Sequence, residues 1–261
     1  MTPERYSAVY SLIEQRAQSR AKITDALLGL SWSSIQVNHP DAAQPLQTSS
    51  GLCFSPSEAP RNISWSGSLC EKLANDVLPW LHQWNDSEVV VALATANAVI
   101  SHNNKSLKNS QLIVNDAPAN LCVFEHFAPQ LSGANVAIIG RYPGLERYKS
   151  QFNYTCIERR PSGDDLPAAA ANFVLPKADW VFITASSLAN KSLPQLLWLA
   201  RDAQVVLMGP SLPWLEDWAD FGVNYLCGVA VNNYPLLHQI VAQGGGTRIF
   251  DQAVSYRLLT L

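Results

Sequence analysis

The stretch NVAIIGRYPGLERY, residues 135–148, decides the fold. It begins with apolar, mostly β-branched residues that end at Gly140, and it continues as a charged segment compatible with a helix. A buried strand, a glycine turn and a helix, in this order, are how nucleotide-binding α/β domains begin. The stretch therefore predicts a parallel sheet covered by helices. It also makes the loop at Gly140 a candidate ligand loop.

The rest of the chain repeats this alternation of strand and helix. Predicted strands cover 135–140, 152–158, 179–185, 203–209 and 223–231. Predicted helices cover 145–150, 165–174, 192–201, 213–221 and 235–243. Parallel neighbours need a crossover, and right-handed crossovers place a helix between them. We therefore predict an α/β protein whose residues 118–261 form a Rossmann-like, doubly wound, mostly parallel sheet.

The first half of the chain has a different order of elements. The sequence predicts helices over 3–20, 68–84 and 87–102, and strands over 22–30, 33–39 and 50–56. Strands grouped before helices argue for an α+β unit, which we assign to residues 1–117. The stretch 39–51 lacks apolar periodicity and is predicted to be a loop or a hairpin connection. The stretch 103–120, which is polar apart from a short apolar patch, is predicted to be irregular.

Composition restricts the partners. The 261 residues are 48% hydrophobic, which is enough for a large core, and the net charge is −3 with a pI near 5.9. This balance provides no basic surface for nucleic acid or an anionic membrane, so we expect a small-molecule ligand. No apolar run reaches the roughly 18 residues of a membrane span, and the N-terminus does not resemble a signal peptide, which predicts a cytoplasmic protein.

Cysteine and histidine do not predict a metal site. The five cysteines are scattered without a C-x-x-C pair, so neither a disulfide framework nor a zinc knuckle is expected. The five histidines also lack ligand spacing, and the metal, if there is one, stays unknown. Eight dispersed tryptophans and the apolar composition make a homodimer reasonable.

In open α/β sheets, ligands bind beyond the carboxyl ends of the strands, and this rule selects candidate residues. They are Gly140, Arg141, Tyr142, Pro143, Glu158, Arg159, Arg160, Thr184, Ser186, Ser187, Gly209, Pro210 and Ser211. The loop after Gly140 lacks the G-x-G-x-x-G pattern, which disfavours an ordinary nicotinamide site. Glu158 lies 18 residues after Gly140 (158 − 140), where an acidic residue commonly binds ribose. That spacing fits an adenosine-type ligand; the alternative is that Glu158 pairs with a nearby arginine.

Three further segments each allow a structural and a functional reading. In ERRPSGDDLP, one of Asp164 and Asp165 is expected to cap a helix, and the other is a candidate acid or base. In TASSLANKSLP, hydroxyls face a strand-to-helix turn that Asn190 or Ser192 is also able to cap. GPS, at 209–211, resembles an anion cradle at a helix N-terminus, although it is also an ordinary turn. Neither G-x-S-x-G nor H-E-x-x-H is present.

The same segments carry a family resemblance. GRYPGLER, CIERRPSGDDLP, ADWVFITASSLANKSL, VVLMGPS and FGVNYLCGVAV, with ATANAV upstream, resemble a bacterial and archaeal family described as "putative heavy-metal chelation". The resemblance implies an enolase N-terminal-like domain before a Rossmann-like domain, with a site between them for metal-chelating small molecules of the pterin, flavin or siderophore type. Its motifs fall on Gly140, Arg141, Tyr142, Pro143, Glu158, Pro161, Asp165, Pro167, Thr184, Gly209, Pro210 and Ser211. Many relatives have histidine where this chain has Arg141, which weakens any mechanism that needs an imidazole there.

The leading hypothesis is a small-molecule protein with an interdomain cleft, and catalysis stays open. For condensation, hydrolysis or group transfer, Glu158, Asp165 and Arg141 would be the catalytic groups. The ligand-binding set would be Gly140, Tyr142, Pro143, Arg160, Thr184, Ser186, Gly209, Pro210, Ser211 and Asn97, the last being a polar residue inside an apolar helix. The cofactor is unknown, with a metal ion or a nucleotide-like ligand as candidates. The alternatives are a non-catalytic metal or metal-chelate carrier and an S-adenosylmethionine-dependent methyltransferase.

Overall fold

The computed structural model describes residues 3–40, 47–56 and 62–261, which build two sheets. The first is a three-stranded antiparallel sheet in the order β1-β2-β3, covered by helices. The elements of this half are α1 (Pro3–Arg16), β1 (Lys22–Leu28), β2 (Trp32–His39), β3 (Gln47–Phe54), α2 (Ala74–Val77) and α3 (Asp86–Ser101). Residues 41–46 belong to the stretch 39–51 that the sequence predicts to be a connection, and they lie outside the described residues.

Helix α3 is the centre of the first half. Thirteen of its sixteen residues are buried, as expected for a helix that is apolar on all sides. Asn85 caps it by accepting from the backbone N–H groups of Ser87 and Glu88. Gly51 of β3 allows α3 to approach the sheet closely, since a Cβ at this position would lie 2.2 Å from Ala94 O. The helix and the strand therefore pack backbone against backbone.

The second sheet has eight strands in the order β4-β11-β10-β9-β8-β5-β6-β7. Its elements are α4 (Lys105–Asn109), β4 (Gln111–Leu112), α5 (Cys122–Leu131), β5 (Val136–Ile139), β6 (Tyr154–Glu158), β7 (Leu166–Pro167), α6 (Ala171–Val174), β8 (Trp180–Thr184), α7 (Leu193–Leu199), β9 (Gln204–Met208), β10 (Tyr225–Val231), α8 (Tyr234–Ala242), α9 (Ile249–Gln252) and β11 (Val254–Thr260). The strands from β10 to β7 are parallel. The predicted α/β fold and mostly parallel sheet are confirmed.

Three strands of this sheet were not predicted. Strand β11 pairs antiparallel with both β10 and β4, and β7 extends the opposite edge through β6. Buried and partly buried residues alternate along β11, so the alternation that predicts a strand is present in its sequence VSYRLLT. The stretch 103–120, predicted to be irregular, contains α4 and β4. The division between residues 117 and 118 stays a prediction.

Several predicted helices are shorter or are 3₁₀ turns. The segment 68–84 contains only α2 and a 3₁₀ helix at Leu78–His82, because Leu73 bridges to β1 and Pro79 begins a new turn. The segment 213–221 begins without a helix and forms a 3₁₀ helix only at Glu216–Phe221. The predicted helix at 145–150 is a 3₁₀ helix at Leu145–Tyr148, and the one predicted from residue 165 follows β7. In 68–84, 165–174 and 213–221, tertiary pairing or a proline prevents a regular α-helix.

The two halves share one hydrophobic core. A single buried cluster runs from α1 and α3 to β5, β8 and β9. Arg16 of α1 also forms an ion pair with Asp217 of the second half. Across the described ranges, no helix combines the length and the apolar character that crossing a membrane needs. The continuous core sets the geometry of the cleft that lies between the halves.

Candidate ligand cleft between the two halves

A cleft of about 810 Å³ opens at the carboxyl ends of β5, β6, β8 and β9. The strand order reverses beside β5, since β6 lies on one side of it and β8 on the other. This is the switch point at which doubly wound sheets bind ligands. The first half closes the cleft with Trp32, Phe54 and Asp86, among other residues. The strand ends that the sequence identified border this cavity, and its role as a ligand site stays a prediction.

The loop after β5 needs glycine at its first position. Gly140 has φ +103°, and an added Cβ would lie 3.1 Å from Thr184 Cγ2 on the neighbouring strand. Its N–H donates to Ile157 O at 3.0 Å. Asn120 supports the other end of the loop by donating to Pro143 O at 2.9 Å. Gly140, Tyr142 and Pro143 all line the cleft.

Glu158 lines the cleft, but its carboxylate is occupied by backbone groups. It accepts from the N–H of Arg141 at 3.0 Å, of Arg159 at 2.7 Å and of Arg160 at 3.4 Å. An ionised carboxylate offers about four lone-pair positions, so roughly one stays available to a ligand. The arginines that were expected as ion-pair partners of Glu158 therefore bind it through their main-chain amides. Glu158 ties the β5 loop to the end of β6.

Arg141 is held by Asp165. The Arg141 Nε donates to Asp165 Oδ2 at 2.9 Å, and a second guanidinium nitrogen binds the same oxygen and Ser162 O. Burial raises the pKa of Asp165, but hydrogen bonds from Arg141, the Cys156 thiol and the Ser162 amide together hold it below its usual range. Arg141 lines the cleft and Asp165 is not among the lining residues. Asp165 therefore positions the guanidinium from behind.

The helix-capping role predicted for Asp164 or Asp165 is not observed. Asp164 forms an exposed ion pair with Lys149 at 3.1 Å, and Asp165 accepts from the Ser162 N–H at 3.4 Å within its own turn. Neither carboxylate caps a helix by these contacts. Asn190 accepts from the Ser192 N–H at 3.1 Å, which closes the turn before α7. The predicted cap by Asn190 or Ser192 is wrong, because α7 has no side-chain cap hydrogen bond at its N-cap residue Ser192.

Hydroxyl groups cluster at the end of β8. Thr184 Oγ1 lies 3.0 Å from Ser186 Oγ, and it also caps the following 3₁₀ turn by accepting from the Ser186 N–H. Burial raises the pKa of Tyr142, although a hydrogen bond with Thr184 opposes this effect. Ser187 lines the cleft in the same turn and is 1% exposed. These hydroxyls are fixed by the turn that the sequence TASS forms.

The segment Gly209–Ser211 lines the cleft as a turn without a helix behind it. Residues 212–215 form no helix, and the Leu215 N–H donates to Pro213 O at 3.0 Å within a tight turn, so the helix N-terminus that was predicted to bind an anion is absent from this segment. The first half instead holds the turn. Asn97 donates to Leu52 O at 2.8 Å and to Ser211 O at 3.0 Å, and Phe54 N–H donates to Ser211 Oγ at 2.9 Å. Asn97 therefore makes a packed contact behind the cleft and is not among its lining residues.

An aromatic wall from the first half was missed by the sequence reasoning. Trp32 and Phe54 contact each other edge to face, with ring centroids 5.3 Å apart, and both line the cleft. The Trp32 indole donates to Gly246 O at 2.9 Å, which fixes its ring. Phe54 stays 43% exposed. Its position at a predicted strand end, with a large apolar side chain next to Ser55 and Pro56, was the available signal.

Charged side chains of both signs line the described cleft. Arg141, Arg159 and Arg160 line it, together with Glu158 and the exposed Asp86. Within residues 3–40, 47–56 and 62–261, no three His, Cys, Asp or Glu side chains come together as metal ligands. The donor set of the described cleft suits an organic anion better than a bare cation. It does not fit a metal ion held by protein side chains alone.

The fold is that of an α/β protein with a Rossmann-like, mostly parallel sheet and an antiparallel companion unit, and the cleft lies at the strand ends of that sheet. The chain belongs to the family described as "Putative heavy-metal chelation", since models with that description match residues 10–100 and 122–260. The recognition made from the sequence motifs is thereby confirmed. No curated protein matches the chain.

Two solved structures share the fold over nearly the whole chain. A protein of unknown function from Desulfitobacterium hafniense is 22% identical, with a TM-score of 0.83 and coverage of 100% of both chains. A protein of unknown function from Pyrococcus horikoshii is 19% identical, with a TM-score of 0.78 and coverage of 98% of this chain and 100% of the other. Both are from the DUF364 family, and their similarity supports the fold.

Proposed function

We propose that the chain binds a small, planar, anionic compound of the metal-chelating pterin, flavin or siderophore type in the cleft between its halves. The observation that carries this proposal is the pairing of two chemistries in one 810 Å³ cavity. Phe54, which is 43% exposed, offers aromatic surface from one half with the largely buried Trp32 packed against it, and arginines and hydroxyls line the strand ends of the other half. Aromatic rings stack on planar heterocycles, and guanidinium groups bind carboxylates or phosphates.

The contacts of the carboxylates favour binding over proton transfer. Glu158 accepts from three backbone N–H groups, and Asp165 accepts from Arg141. A catalytic acid or base needs a position from which it reaches the proton to be transferred. In this cleft, the two carboxylates instead orient the β5 loop and the Arg141 guanidinium. We therefore assign them to ligand positioning and keep condensation, hydrolysis or group transfer as a question for turnover assays.

The test is a thermal-shift screen of metal-free protein. Flavin mononucleotide, pterin-6-carboxylate, 2,3-dihydroxybenzoate, S-adenosylmethionine and metal ions alone are compared. A ligand at a hundred times its dissociation constant stabilises the folded state by about 2.7 kcal/mol. We expect stabilisation by at least one of the first three compounds. That stabilisation should fall in Phe54→Ala and persist in Phe173→Ala, which removes an exposed phenylalanine outside the cleft lining.

Each other outcome contradicts the proposal in a different way. A response to metal ions alone, with stoichiometric metal by elemental analysis, would favour the carrier. A response to S-adenosylmethionine alone would favour the methyltransferase. If no organic compound stabilises the protein, or if Phe54→Ala retains the full response, the cleft is not the ligand site.

A further inference from the structure

Asp86 brings an accessible carboxylate into the cleft from the first half. It is the first residue of α3, it is exposed, and it lines the cleft. Among the residues that the structure describes, none forms a hydrogen bond or an ion pair with this carboxylate. The Lys191 ammonium attracts it electrostatically, but that ammonium donates to Leu81 O and lies 3.8 Å from the centre of the Tyr10 ring. The Asp86 carboxylate is therefore available to a ligand.

The same face of α3 adds apolar surface beside that carboxylate. Val90 follows Asp86 by four residues, so both side chains lie on one side of the helix, and Val90 is buried and lines the cleft. Leu196 and Leu199 of α7 line the cleft as well. Glu88, two residues after Asp86, does not line the cleft and instead borders a separate hollow of about 150 Å³. One side of α3 thus presents an acceptor next to a surface on which a flat ring can lie.

The chemistry of this acceptor differs from that of the second half. Arg141 and Arg159 line the cleft there, and the Glu158 carboxylate already accepts from three backbone N–H groups. An ionised carboxylate only accepts hydrogen bonds, and it binds best to two parallel N–H donors. A 2-amino-4-oxopyrimidine edge offers such donors, a ring N–H beside an amino group. A dioxopyrimidine edge, as in a flavin, offers one N–H between two carbonyl oxygens, which repel a carboxylate.

We propose that Asp86 is a specificity-determining residue that accepts the paired N–H donors of an aminopyrimidinone ring, as in a pterin, while the acidic group of the same ligand binds the arginines. This inference rests on the proposed function and selects one of its three compound types. A flavin lacks the amino donor, and a catechol lacks the ring nitrogen. Asp86 therefore recognises a part of the ligand that guanidinium groups, which are themselves donors, do not bind.

The test measures dissociation constants for pterin-6-carboxylate and lumazine-6-carboxylate. The two compounds share their shape and their acidic group, and lumazine has a carbonyl oxygen in place of the amino group. Wild type is compared with Asp86→Asn and with the control Glu88→Gln. Each variant removes one negative charge from the first turn of α3, but only Asp86 lines the cleft.

We expect wild type to bind pterin-6-carboxylate about tenfold or more tightly than lumazine-6-carboxylate, as for hydrogen bonds to a charged group. Asp86→Asn should lose this preference because its affinity for the pterin compound falls, and Glu88→Gln should keep it. The direction of the change identifies its cause. Both probes are anions, so removal of a negative charge that only repels them would strengthen their binding, whereas loss of a direct contact weakens it.

Three results would overturn the inference. The first is equal affinity of wild type for the two compounds. The second is tighter binding of both compounds by Asp86→Asn, because Asp86 would then act only through its charge. The third is no binding of either compound to wild type. In that case, binding of flavin mononucleotide or 2,3-dihydroxybenzoate would leave the proposed function standing, and binding of none of these compounds would contradict the proposed function as well.

Discussion

Replacement of Asn97 tests how the first half holds the cleft. Its side-chain amide bridges Leu52 O and Ser211 O, at 2.8 Å and 3.0 Å, and the residue is 7% exposed. Its Oδ1 has no partner in the described part of the chain. Asn97→Leu keeps a similar shape without donors. Asn97→Asp replaces the donors with carboxylate oxygen facing the same two carbonyl groups.

The two variants should differ in magnitude. Asn97→Leu loses two hydrogen bonds of about 1 kcal/mol each and regains about 1 kcal/mol from the unpaired oxygen, so the free energy of unfolding should fall by about 1–2 kcal/mol. Asn97→Asp leaves a buried charge without a compensating partner, which costs about 3–5 kcal/mol. The expected order of stability at pH 7 is therefore wild type, Asn97→Leu, Asn97→Asp.

Urea unfolding followed by tryptophan fluorescence measures this order. Burial against carbonyl oxygens should raise the folded-state pKa of the introduced carboxyl group above its unfolded value of about 3.9. The folded variant then binds more protons than the unfolded chain, so its stability should fall as the pH rises from about 4 towards 8. Equal stability of Asn97→Asp and Asn97→Leu at pH 7 would refute the bridging role of the amide.

Three further predictions concern single residues around the cleft. Burial lowers the pKa of Lys191 in the folded protein to about 8, whereas a lysine in the unfolded chain titrates near 10.4. Between these values the unfolded chain binds more protons than the folded protein, so stability rises with pH. Urea unfolding should therefore show wild type gaining stability relative to Lys191→Met from pH 8 to about 9.5. The pKa of Asp165 is lowered in the folded protein, so its ionised carboxylate stabilises the fold above about pH 4 and this stabilisation is lost as the pH falls. It should amount to less than about 1 kcal/mol, because the pair with Arg141 is partly exposed. Acid titration by circular dichroism should show the stabilities of wild type and Asp165→Asn converging at low pH. Gly140→Ala should cost about 1–2 kcal/mol in urea unfolding, and more than Gly209→Ala, because only at Gly140 does the added Cβ meet a side chain at 3.1 Å. The Lys191 prediction is wrong if the stability difference between wild type and Lys191→Met does not change with pH. The Asp165 prediction is wrong if the difference between wild type and Asp165→Asn grows as the pH falls. The glycine prediction is wrong if Gly140→Ala and Gly209→Ala cost the same.

Much of the second half was predictable because its signals are local. The five central strands are short apolar runs that end in turn residues, and such runs form strands wherever helices cover both faces. Strand β11 was missed although its burial alternates, and β7 is only two residues long and contains a proline. The predicted helix over 68–84 failed because the Leu73 bridge to Lys22 is a contact between distant parts of the chain.

Only the cleft residues that the second half contributes were predictable from the sequence. Strand ends identified Gly140, Glu158 and Thr184, since the carboxyl ends of parallel strands must share one edge of the sheet. The roles of the side chains depend on contacts that spacing does not encode. Glu158 is occupied by backbone N–H groups, and Asp165 points its carboxylate at Arg141.

The sequence by itself determined the parallel sheet, the loop at Gly140 and the family, because strand periodicity, glycine and ordered motifs are properties of contiguous residues. Only the tertiary structure decided that Trp32 and Phe54 face the strand ends of the second half. The packing of the first half against the second brings together residues more than a hundred positions apart, as in the contact of Phe54 with Ser211. No local pattern specifies that approach, because it results from burial of the shared core.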